Sequence, residues 1–94
     1  MNKRSIIEQI QAHGAVAAHT TGRHVDMVKD IPVKVDLATP IYMAKDKIRK
    51  GDKIAIIDMD EKIAFICKVN QIETRFLSKI PTLMLGRPKK VKLE

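Results

Sequence analysis

The side chains best placed to attempt bond chemistry are in the stretch HTTGRH, residues 19–24, with Asp26 two positions beyond. A hydroxyl of Thr20 or Thr21 could act as a nucleophile if His19 or His24 took its proton and Asp26 oriented that base. The order of residues matches no nucleophile signature, and adjacency in sequence is weak evidence for the required geometry, so the stretch reads first as a polar loop. Arg23 behind Gly22 could join an anion-binding turn, but one glycine and one arginine fall short of a phosphate loop.

Metal chemistry has less support. His13, His19, His24 and Cys67 carry zinc-type donors, yet structural zinc ligands come in pairs two to four residues apart and no such pair occurs. Asp58, Asp60 and Glu61 offer oxygens near a turn, without the number and spacing of a calcium loop. The expectation is a non-enzymatic protein with no cofactor and no metal.

Charge is more informative. The formal net charge is +7 over 94 residues, and two segments account for it. Residues 45–53 hold Lys45, Lys47, Arg49, Lys50 and Lys53 against Asp46 and Asp52, and residues 87–92 hold Arg87, Lys89, Lys90 and Lys92 with no acid. The remaining cations and anions balance, as on an ordinary solvated surface. Concentrated cations favour a polyanion or an acidic protein surface as partner. Phosphate contacts alone give affinity without sequence preference, and readout of single strands normally adds aromatic platforms. Only Tyr42, Phe65 and Phe76 are aromatic, and Tyr42 alone adjoins a basic window. Backbone-dominated contacts, or recognition of a structured RNA by shape, are therefore expected.

These charges need a frame to hold them. The length suits one domain with one core, assigned to residues 1–86, with 87–94 as a basic tail; Leu93-Glu94 could be a cloning scar. One cysteine excludes an internal disulfide and fits a reducing, cytoplasmic setting. No apolar run approaches the roughly 20 residues needed to cross a bilayer. Ser5 and Glu8 have capping-box spacing, Ile6, Ile7 and Ile10 share one side, and Gly14 supplies a left-handed stop, so a helix of about two turns is predicted. Residues 15–28 show a poor pattern, with a turn at Thr20–Gly22 and a hint of a strand at Val25 and Met27. Ile31, Val33, Val35 and Leu37 recur every second residue as on a half-buried strand, Pro32 marks its edge, and residues 41–43 suggest another short strand.

The clearest element is RKGDKIAIIDMDEKIAFICKV, residues 49–69. Gly51 can take positive φ in a turn, residues 53–59 are apolar on both faces, and Ile63, Phe65, Cys67 and Val69 return antiparallel. Beyond it, Phe76, Leu77 and Ile80 could form a helical turn and Thr82–Leu85 a last strand. The fold class is α+β: a mainly antiparallel small β-barrel or curled sheet with one short N-terminal helix.

IRKGDKIAIIDMDEKIAFICKVNQIE, residues 48–73, resembles the barrel hairpin of the PUA and ASCH superfamily, through the turn Gly51-Asp52, the strand Ile54–Ile57 and the return Ile63–Val69. That resemblance implies a pseudobarrel that binds RNA or modified nucleic acid. The expected function is a non-enzymatic binding module whose basic turn and tail contact a polyanion, RNA favoured. The alternative is a structural subunit of a larger assembly, such as a phage-like tail or baseplate, without nucleic-acid binding. Strands apolar on both faces would there allow pairing between copies as a homo-oligomer.

Overall fold

The computed structural model describes residues 3–75, 77 and 79–94. It comprises α1 (Lys3–Ala12), β1 (Ala15–Thr20), β2 (Val25–Val28), β3 (Ile31–Asp36), β4 (Tyr42–Met43), β5 (Lys53–Asp58), β6 (Ile63–Glu73), β7 (Thr82–Leu85) and β8 (Lys89–Lys92). The strands run in the order β2-β3-β7-β6-β5-β1-β4, with β8 added to β6. All pairings are antiparallel except β1 with β5. The α+β class holds. The sheet is curled without closing into a barrel.

The curl is made by β6. Its residues Ile63–Lys68 pair with β5, and from Val69 to Glu73 it pairs with β7, with a register shift between Val69 and Gln71. A bulge of this kind bends a strand and raises its local twist. One long strand thus serves two half-sheets, which close over a core of Ala17, Ile54, Ile56, Phe65, Cys67 and Val69 from one side and Val25, Val35 and Leu83 from the other.

The opposite face of the first half-sheet carries α1. Ile6 and Ile10 sit over Ala15, Ala18, Ala55, Ile57, Ala64 and Ile66. Four of these six are alanines, which lets the helix approach the sheet closely. Ile10, 1% exposed, contributes ~1.5–3 kcal/mol by leaving water. The helix ends as expected: the Gly14 amide donates to the Gln11 carbonyl at 2.9 Å, and Gly14 takes φ 84°. Its start differs. The helix is already formed at Lys3, so Ser5 lies inside it and is not the cap.

The β5–β6 hairpin has the predicted pairing, Ile54 opposite Cys67 and Ile56 opposite Phe65. Its tip is closed by Asp58, whose Oδ1 accepts from the amides of Asp60 and Glu61 at 3.0 and 3.1 Å. Cys67 is fully buried, and desolvation pushes its thiol from 9.0 up to about 12. A raised thiol pKa favours the neutral form in the fold. That contribution is intact below pH 9 and is lost as pH rises towards 12. Native protein at pH 8 should therefore resist thiol-specific labelling, while urea-unfolded protein should react fully; equal rates in the two states would contradict the burial.

Two expectations are corrected. The alternation predicted for Ile31–Leu37 fails at its start: Ile31 is 40% exposed, whereas Pro32 is buried. A register shift between Asp26 and Met27, where Met27 pairs with Pro32, displaces the apolar face. Ile31 and Val28 instead flank a two-residue turn, Lys29-Asp30, with φ of 50° and 64°. Positive φ at both turn positions favours Asn-Gly there, so Lys29→Asn with Asp30→Gly should stabilise the protein by roughly 1 kcal/mol in urea unfolding.

Of the helical turn expected from Phe76, Leu77 and Ile80, Leu77 is 93% exposed and Ile80 44% exposed, while Phe76 lies outside the described residues. Finally, residues 87–94 do not trail from the domain. β8 pairs with β6 from Ile63–Lys92 to Ile66–Lys89, and Leu93 is buried beneath α1. The Glu94 amide donates to Gln9 Oε1 at 2.8 Å. β7, expected as the last strand, is followed by this one. No helix among the described residues is long and apolar enough to cross a membrane.

Candidate functional site

The basic segments meet at the middle of β6, where it passes from β5 to β7. On one edge of that strand the Val69 amide donates to the Asp52 carbonyl at 2.8 Å and the Gly51 amide to the Val69 carbonyl at 2.9 Å. On its other edge the Gly86 amide donates to the Lys68 carbonyl at 2.8 Å. Neighbouring strands are spaced by about 4.8 Å, so the backbones entering β5 and β8 pass roughly 10 Å apart.

Side-chain alternation then sorts the cations. Lys53 is directly opposite Lys68 on β5 and β6. Both belong to the face that carries Ala55, Ala64 and Ile66, the face under α1. Lys89 is opposite Ile66 and shares that face, and exposed Arg87 follows Gly86, whose amide donates to the Lys68 carbonyl. Lys53, Lys68, Arg87 and Lys89 thus form a band across three strands, just past the C-terminal end of α1. The stem of Lys53 runs against Gly14 there, next to the negative end of the helix dipole.

Lys90 and Lys92 are not in this band. They alternate to the opposite face, where Lys90 Nζ stands 5.7 Å from the centroid of the Phe65 ring. Lys45 is engaged too: its Nζ donates to Asp52 Oδ1 at 2.9 Å. Asp52 also accepts from the Arg49 amide at 2.7 Å, while its own amide donates to the Arg49 carbonyl at 3.0 Å. The Arg49 amide first, and then Lys45, hold the Asp52 carboxyl below the usual range. The loop so braced presents Lys47, Arg49 and Lys50 to solvent, while Ile48 between them is 3% exposed and seated in the core between the half-sheets.

Lys68 escaped the sequence reading because it stands alone between Cys67 and Val69. The alternation of β6 was the available signal, since Lys68 interrupts an otherwise apolar face. Tyr42, the aromatic that adjoins a basic window, packs against the α1 cluster, and its hydroxyl accepts from Gln11 Nε2 at 2.5 Å.

The HTTGRH stretch lies at the far end of β1. His19 is 3% exposed, and its Nε2 has no hydrogen-bond partner among the described residues. Burial, and then the nearby His24, lower its pKa below 6.5. His19 and His24 line one hollow, and His24 also lines a second one together with Asp26 and Asp36.

The chain matches no family model, and no curated protein or solved structure matches it either.

Proposed function

We propose that the protein is a small non-enzymatic binding module that holds a polyanion, RNA in particular, across the Lys53–Lys68–Arg87–Lys89 band and the adjoining loop cations Lys47, Arg49 and Lys50. The observation that supports this most directly is the pairing of residues 51–52 and 86 to opposite edges of Lys68–Val69, which gathers cations from distant parts of the chain. Four cations on one sheet end repel one another, an arrangement that a bound phosphate backbone relieves. The resemblance of the hairpin to PUA and ASCH domains points the same way, by analogy of fold alone. With no aromatic platform beside the band among the described residues, the contacts run to phosphate and sugar, and a folded RNA is read by its shape. The unpaired, buried Cys67 suits a reducing, cytoplasmic setting.

Fluorescence anisotropy with a labelled RNA hairpin tests this. About four neutralised phosphates give a log–log salt slope near 3 to 3.5, so affinity should fall roughly 50- to 150-fold between about 50 and 200 mM salt. A flat salt response, or a concentration-dependent oligomer without RNA affinity in light scattering, would favour the structural-subunit reading instead.

A further inference from the structure

The hollow at the end of β1 has a composition that its surroundings do not require. It encloses about 270 Å3 and is lined by His19, Thr20, Thr21, Gly22, Arg23, His24, Thr39 and Ile41. None of these residues is a carboxylate. Arg23 supplies only donors, the three threonines supply hydroxyls that can donate, and His24 gains a second donor on protonation. At its wall, His19 holds a nitrogen that is out of water and without a partner. Leaving a polar atom in that state costs on the order of 1–3 kcal/mol. An apolar residue at this β1 position would avoid the cost, since His19 is paired with Ile56, itself part of the apolar core.

Donors in excess and a cationic rim call for a small ligand rich in acceptors. The volume falls below the roughly 300–1,000 Å3 of sites for drug-sized molecules. A guanidinium fork matches the paired oxygens of phosphate or carboxylate. The hollow is also separate from the basic band: β1 pairs with β5 from Ala15–Lys53 at the band to Thr20–Ile57 at the hollow, a span of roughly 16 Å.

We propose that this hollow is a binding site for a small oxyanion, a phosphate or carboxylate group, held by Arg23, His24 and the threonine hydroxyls, with the buried His19 behind them. The site does not depend on the RNA reading and stands or falls by itself.

The test is a nuclear magnetic resonance titration of the 15N-labelled full chain with inorganic phosphate, sodium acetate and sodium chloride, each at the same ionic strength and pH. Phosphate should shift the His19 and His24 imidazole signals and the Gly22–His24 amides along one saturating curve. Saturation by acetate as well assigns the hollow to oxyanions in general; saturation by phosphate alone narrows it to phosphate groups. Arg23→Gln, at an exposed position and so compatible with folding, should weaken binding about tenfold, the value of one charged hydrogen bond. Shifts that remain linear, that chloride reproduces, or that Arg23→Gln leaves unchanged would overturn the assignment.

Discussion

Ile48→Ala is expected to lower the free energy of unfolding by about 2–5 kcal/mol, the cost of removing a fully enclosed isoleucine and leaving a cavity. The expectation is unusual because Ile48 belongs to a loop, and loop residues seldom matter this much to stability. Here the side chain is 3% exposed and packs in the same cluster as Ile54, Ile56 and Phe65. Ile48→Val should cost only about 0.5–1.5 kcal/mol. Urea denaturation of the two variants separates the cavity effect from any general sensitivity of the loop. A loss under about 0.5 kcal/mol for the alanine variant would mean that the loop is not seated between the half-sheets. The same anchor fixes Lys47 and Arg49, its exposed neighbours, so the alanine variant should also bind RNA more weakly, even at temperatures where it stays folded.

The triple reversal Lys53→Glu, Lys68→Glu and Lys89→Glu should reduce RNA affinity at least 100-fold near physiological salt and flatten the salt slope by roughly 2 to 2.7, if each lysine neutralises one phosphate. All three positions are exposed, so the fold should survive, as far-ultraviolet circular dichroism would show. The decisive comparison is an equal change in net charge placed elsewhere. Lys29, Lys62 and Lys92 are likewise exposed and lie away from the band, and reversing them should weaken binding only severalfold through the long-range field. Equal losses in the two triples would show that RNA senses total charge and would remove the band as an interface.

The sequence revealed most where a residue's neighbours along the chain decide its structure. The β5–β6 hairpin is local, apolar on both faces and closed by a short polar turn, and its pairing follows from period two alone. Gly14 and Gly51 could be read because positive φ is a property of one residue. β1 was not legible. AVAAHT is alanine-rich and scores poorly as a strand, but those small side chains are what a strand needs when a helix covers one face and a second half-sheet the other. β8 was missed for a related reason: a run of lysines near a chain end resembles a solvated tail, and only its pairing with Ile63–Ile66 makes it a strand.

The candidate site divides in the same way. The basic segments were visible as composition, but which cations share a face depends on strand alternation and on the neighbour each strand acquires. That sorting brought in Lys68, excluded Lys90 and Lys92, and tied Lys45 to Asp52. His19 could be named as chemically capable from sequence; its burial without a partner follows from tertiary packing.

β8 has one more consequence. It is an outer strand, joined to β6 on one side only, and an open row of backbone groups is a template on which copies of a protein can stack into fibres. Lys89, Lys90 and Lys92 place positive charge along that margin on both faces, so two molecules approaching margin to margin repel each other. These lysines therefore guard solubility independently of any ligand, and replacing them with glutamate preserves the guard while alanine removes it.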